Sequence, residues 1–231
     1  MSSIKDASID MILCDLPYGQ TARNKWDVVI PFDKLWEQYE RIIKDTGAIV
    51  LFANGMFTAD LMESNKKIWR YNLIWEKTTP TGFLNAKKMP LRIHEDICVF
   101  YKKPPTYNPQ KTYGHTPTHS FIKHTSDGTN YGETSLGISG GGSTERYPTS
   151  ILKFKTDKQK CSLHPTQKPV ALLEWLIRTY TNSGETVLDN CSGSGSTAEA
   201  CIRTERQFIC FENETTYWVI SNERIHNIVK I

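Results

Sequence analysis

The hydrophobic positions of this 231-residue chain fall into two patterns that take turns. Short, nearly continuous apolar runs have the length and make-up of buried strands: IDMILC at 9–14, GAIVLFA at 47–53, YNLIWEK at 71–77, EDICVFY at 95–101, TVLD at 186–189 and QFICFE at 207–212. Amphipathic stretches with helical spacing lie between most of them: FDKLWEQYERIIKD at 32–45, FTADLMESNKK at 57–67, KPVALLEWLIRTYT at 168–181 and TAEACIR at 197–203. A last one, TTYWVISNERIHNIV at 215–229, follows the final strand. Strand alternating with helix predicts an α/β fold built from parallel β-α-β units.

The alternation stops between 102 and about 163, where Pro, Gly, Thr, Ser, Asn and Lys prevail and SLGISGGGST breaks any regular element. So long a stretch without periodicity is expected to be functional or disordered. The chain is therefore read as one domain in two parts, 1–101 and 164–231, with an inserted region at 102–163.

Composition is ordinary for a globular protein and narrows the class by exclusion. There is no apolar run of about 18 residues, and MSSIKDAS lacks the basic-then-apolar layout of a signal peptide, so the expectation is a cytoplasmic protein with no membrane partner. Six cysteines without a C-x-x-C pair predict reduced, mostly buried thiols and no metal. Net charge is only +3, yet residues 101–160 hold nine Lys/Arg against four Asp/Glu, leaving the rest of the chain net acidic. A basic segment on a near-neutral body points to a polyanionic partner.

The clearest chemistry lies in TVLDNCSGSGSTAEACIRT, which reads as strand, tight turn and helix. Gly193, Gly195 and Ala198 satisfy G-x-G-x-x-A, and Glu212 closes the next strand 23 residues after Asp189. Glycines let the backbone approach a ligand, the helix N-terminus offers free N–H groups, and an acid one strand over can accept from a ribose diol. The pattern suits a nucleoside-containing cofactor. Only 36 residues, from Ser196 onward, follow the second glycine, too few for the halves of a dinucleotide domain. A nicotinamide dehydrogenase is thereby disfavoured, and the missing strands must come from 8–101. Ligands of an open parallel sheet bind beyond the carboxyl ends of its strands, so Asp15 to Tyr18 and Ser192 to Thr197 are expected to line one crevice.

These residues carry a resemblance. Asp15-Leu16-Pro17-Tyr18 resembles the D-P-P-Y motif of amino-group DNA methyltransferases, and the run Asp189, Ser192, Gly193, Ser194, Gly195, Ser196, Thr197 resembles their S-adenosylmethionine loop. His164-Pro165-Thr166-Gln167-Lys168-Pro169 is similar to the H-P-T-x-K-P segment that precedes this loop in the β group. The order of the motifs agrees, and the similarity extends over most of the chain.

The resemblance implies a permuted Rossmann-like S-adenosylmethionine-dependent methyltransferase sheet with an inserted target-recognition region. It also implies S-adenosyl-L-methionine as cofactor, double-stranded DNA as partner, a restriction-modification setting, and a homodimer as an admissible assembly. Adenine N6 is the expected target because Asp heads the tetrapeptide. Cytosine N4, methylation of RNA or a protein amide, and an inactive DNA-binding module stay open at this point.

An exocyclic amine is a poor nucleophile because its lone pair is delocalised into the ring. By resemblance, the Asp15 carboxylate and the Leu16 carbonyl would accept from its two hydrogens, Tyr18 would stack on a base swung out of the duplex, and Pro17 would fix the turn. Likewise, Glu212 would bind the cofactor ribose, and His164, Thr166, Gln167 and Lys168 would approach its methionine end. Trp75 to Lys77 and Arg92 to Glu95 look family-like without an assigned role, while Arg146 and Asn130 are candidates for base edges in the basic region.

Two departures stand out. Similar chains carry a further strand with an acidic residue ahead of the catalytic one, and this chain starts too late to contain it, which implies a start upstream of Met1 or an incomplete adenine pocket. Asn190-Cys191 stands where Pro-Phe is usual, which alters the packing expected around the cofactor.

Overall fold

A computed structural model describes residues 1–20, 27–122, 139–157 and 167–229. The chain divides into two compact units, Met1–Asn108 with Ser150–Ile231 and, separately, Pro109–Thr149.

The larger unit is a seven-stranded sheet with helices on both faces. Its elements run β1 (Ile9–Asp15), α1 (Phe32–Ile42), β2 (Ile43–Ala53), α2 (Met56–Ser64), β3 (Trp69–Thr81) and β4 (Arg92–Phe100). After the smaller unit, which contains the two-stranded ladder β5 (Phe121–Ile122) and β6 (Ser139–Gly140), come β7 (Ile151–Phe154), α3 (Val170–Tyr180), β8 (Thr186–Asp189), α4 (Ser196–Arg203), β9 (Gln207–Cys210) and α5 (Thr215–Val229). The sheet order is β7-β3-β4-β2-β1-β8-β9. β1 is apolar almost throughout because side chains leave it on both sides into separate cores. Ile12 and Cys14 pack with Leu35, Trp36, Tyr39 and Ile42 of α1, whereas Met11 and Leu13 pack with Leu172, Leu173 and Leu176 of α3.

β1 pairs in parallel with β2 on one side and β8 on the other, with Ile12 opposite Leu188. The helix after β1 covers one face, and α4, after β8, contributes Ala200 and Cys201 to the core of the other. The two connections diverge at the β1/β8 boundary and leave a crevice there, the place where open α/β sheets take ligands.

Two expectations need correction. The sheet is not wholly parallel, because β4 runs antiparallel to both β2 and β3. Only residues 82–91 separate β3 from β4, too short a link for the dozen or more residues of a parallel crossover. The region 102–163 also contains sheet: β7 pairs in parallel with β3, with Trp75 opposite Leu152. Residues up to 108 belong to the larger unit as well, where Asn108 donates to the carbonyls of Arg178 and Thr181 at 3.1 and 3.0 Å. A four-residue strand at a sheet edge has too little periodicity to be read from sequence. Among the described residues no helix is long and apolar enough to cross a membrane.

Candidate active site

The cleft at the β1/β8 boundary is a cavity of about 940 Å³. Its wall includes Asp15, Leu16, Pro17 and Tyr18 from the end of β1, and Asp189, Ser192, Gly193, Ser194, Ser196, Thr197 and Glu212 from the C-terminal strands. Gln167 and Lys168 line it too. His164 and Thr166 lie outside the described residues.

The C-terminal turn is held by its own polar groups. Asp189 is buried at the end of β8 and accepts from Thr197 Oγ1 at 2.6 Å and from the Cys191 amide at 3.0 Å. Burial pushes its carboxyl from 3.8 up to about 6 despite these bonds. Gly193 and Gly195 have φ of +51° and +79°, in the left-handed region. Gly195 is required twice, since a Cβ there would lie 2.4 Å from Ser221 Oγ and 3.2 Å from Ser221 Cα of α5. Glu212 closes the loop from across β9, taking the Gly193 amide on one oxygen and the Glu214 amide on the other, both at 2.8 Å. Arg224 braces the outside, donating to the Ser194 carbonyl and Ser196 Oγ at 3.2 Å and pairing with Glu199. Asn190, one of the unusual pair, accepts from the hydroxyl of Tyr39 on α1.

The β1 end carries a chain of charges, buried at Lys168 and Lys77 and partly exposed at Asp15 and Glu95. Tyr18 donates its hydroxyl to Asp15 Oδ1 at 2.6 Å, and the Lys168 ammonium pairs with Asp15 Oδ2. Lys168 also stands 3.3 Å from Glu95 Oε2, and Lys77 pairs with Glu95 Oε1. Lys168 thus bridges a carboxylate on β1 and another on β4, with its ammonium 4.9 Å from the centre of the Phe52 ring. Burial pulls the Lys168 ammonium down, but the Asp15 and Glu95 carboxylates outweigh it and hold the group above its usual range. Burial likewise raises Glu95, and the Lys168 and Lys77 ammoniums overcome it, leaving this carboxyl below its ordinary value. Burial, reinforced by Asp15 and Glu95, pushes the Tyr18 phenol well up, so it stays a neutral donor.

Sequence reasoning left Lys77 and Glu95 without a role. The signal available was a charge at the inner end of each of two apolar strands, YNLIWEK and EDICVFY; their pairing depends on the antiparallel β3/β4 register, in which Trp75 faces Glu95. Arg224 carried no signal, being one charged position of a terminal helix. Arg146, a candidate for base edges, spends its guanidinium on the carbonyls of Ser143, Glu145 and Thr116 within the smaller unit. Asn130 lies outside the described residues. No group of His, Cys, Asp and Glu among the described residues is arranged to hold a metal ion.

Comparison with known proteins follows the same lines. The DNA methylase family model matches residues 9–223. The type II methyltransferase M2.MboI of Moraxella bovis is 28% identical over 258 residues, covering 100% of this chain and 85% of that protein. Among solved structures, the complex of M1.HpyAVI with SAM has a TM-score of 0.62 at 23% identity, covering 94% of this chain and 89% of that one. The PvuII DNA methyltransferase, cytosine-N4-specific, has a TM-score of 0.63 at 15% identity, covering 99% and 87%. The last two are likenesses of fold.

Three outcomes test this geometry. Gly195→Ala, which forces a side chain into the left-handed region and against Ser221, is expected to lower stability by about 2–4 kcal/mol in urea unfolding. Lys168→Ala removes the cation shared by the Asp15 and Glu95 carboxylates and is expected to cost about 3–5 kcal/mol at pH 7, a deficit that shrinks as the pH falls and Glu95, held below its ordinary value in part by Lys168, is protonated. Asp189 binds its proton more tightly folded than unfolded, so its neutral form stabilises the protein below about pH 4 and that contribution is lost as pH rises through about 6. The stability of Asp189→Asn relative to the parent should therefore improve by up to about 3 kcal/mol between pH 4 and 7, measured as paired urea midpoints.

Proposed function

The chain belongs to the DNA methylase family whose model spans residues 9–223, and from that premise we propose that it moves a methyl group from S-adenosyl-L-methionine to N6 of adenine in double-stranded DNA. One observation carries the reading. The Asp15 carboxylate and the glycine turn with Glu212 open into a single cavity, so an amine acceptor and a nucleoside site face each other.

The residues present suit the cofactor. Glu212 uses two of about four lone-pair positions on the Gly193 and Glu214 amides, which leaves acceptor capacity for a ribose diol. A volume of about 940 Å³ lies at the upper end for ligand sites and leaves room for a base beside the cofactor. When bound, S-adenosyl-L-methionine supplies an electrophilic methyl group carried on a sulfonium.

The chain's own part is to bind, orient and exclude water. Asp15 is the residue we assign to the amine: Tyr18 holds one of its oxygens and Lys168 the other, so the carboxylate has a fixed direction, and the Leu16 carbonyl would take the second N–H. Two acceptors so placed turn the nitrogen lone pair out of conjugation and toward the methyl group, a gain from positioning and electrostatics rather than from strong-base chemistry. Tyr18 would offer its ring face to the base. The adenine assignment rests on Asp rather than Ser at the head of the tetrapeptide.

The test is methylation of mixed genomic DNA with labelled S-adenosyl-L-methionine, followed by digestion to nucleosides and mass spectrometry. N6-methyldeoxyadenosine is expected; N4-methyldeoxycytidine would keep the mechanism and overturn the base. Asp15→Ala should lower turnover by at least about a hundredfold while calorimetric cofactor affinity stays within about threefold. Retained turnover would remove Asp15 from the role given to it.

A further inference from the structure

In the link between β3 and β4, residues 82–90 are all exposed, and three of them are large and apolar: Phe83, Leu84 and Met89. Leu84 is 100% exposed. Clustered apolar side chains in water mark a surface that something else covers. The segment is also internally bonded. Gly82 takes φ of +92°, Phe83–Asn85 forms a 3-10 turn, and the amides of Asn85, Ala86, Lys88 and Met89 are satisfied by carbonyls of the same tip at 2.8–3.1 Å. The backbone thereby presents Phe83 and Leu84 outward on a formed turn.

Charge and position identify the occupant. No Asp or Glu occurs between residues 77 and 94, whereas Lys87, Lys88 and Arg92 are exposed. An apolar tip flanked only by cations complements a polyanion that offers apolar surface of its own, which a base stack does. The strands leading to the tip also line the cavity, through Lys77, Thr79, Thr81 and Arg92. The tip and this part of the cavity wall are thus consecutive stretches of the chain from β3 to β4.

We propose that the β3–β4 tip is a wedge for duplex DNA, with Phe83 and Leu84 entering the stack at the place vacated by the target base and Lys87 and Lys88 holding the adjoining phosphates. The inference rests on the DNA-methylation reading above. Extraction of a base leaves its neighbours unstacked, and apolar side chains inserted at a base step restore contact and hold the duplex open. The lysines contribute a sequence-independent, salt-sensitive part of binding.

The test compares the full chain with Phe83→Ala/Leu84→Ala and with Lys87→Ala/Lys88→Ala on linearised duplex plasmid and on the same DNA heat-denatured, where the target base has no paired duplex to leave. The apolar double variant is expected to lose at least about tenfold in methylation of the duplex, less than about threefold on denatured DNA, and nothing in cofactor affinity by calorimetry. The lysine double variant should weaken duplex binding and reduce its salt slope by about 2. A loss below threefold on the duplex, or an equal loss on both forms, overturns the wedge. A parent protein that binds cofactor and methylates neither form overturns the DNA reading itself, and this inference with it.

Discussion

The site depends on one pairing, that of β1 with β8. Ile12 lies opposite Leu188, so two strands more than 170 residues apart in the chain end at the same edge of the sheet. Their connections then leave toward opposite faces, because the helices they feed belong to different cores. A crevice at that boundary is a consequence of topology and needs no special side chain to open it. The side chains decide what it can do, and the motifs of both strand ends lie on its wall.

A second tie reinforces the first. Asp15, Lys168, Glu95 and Lys77 alternate in sign and sum to zero, and they come from β1, the segment just before α3, β4 and β3. Burying such a chain of ions is not a source of stability beyond what well-packed apolar side chains would give; removing one member is what costs heavily. Its effect is positional. The carboxylate at the end of β1 is held by a phenol from its own loop and an ammonium from the other half of the chain, so the two halves of the site are registered against each other by charge as well as by the β1/β8 ladder.

Much of this architecture was legible in the pattern of apolar positions. The runs at 9–14, 47–53, 71–77, 95–101, 186–189 and 207–212 each contain a strand, and those of β1, β2 and β4 are buried over most of their length because layers cover both faces of the central sheet. Helices were legible from their spacing, and α1 buries Leu35, Trp36, Tyr39 and Ile42 as that spacing requires. The direction of β4 was less legible: it follows from a link too short to cross the sheet, which a reading of alternating elements passes over. β7 was invisible because four residues, buried at Leu152 alone, carry no period.

By itself, then, the sequence determined the local elements, the glycine turn with its acid one strand away, and the D-x-P-Y end of the first strand, since all of these depend on residues within a few positions of one another. Tertiary structure alone decided that Lys168 faces Asp15 and Glu95, that Lys77 completes the charge chain, and that Arg224 and Ser221 of the last helix press on the glycine turn. Those contacts join positions from 18 to 153 residues apart, and no local propensity records them. They form because a buried charge must find its opposite wherever the packed sheet brings one within reach.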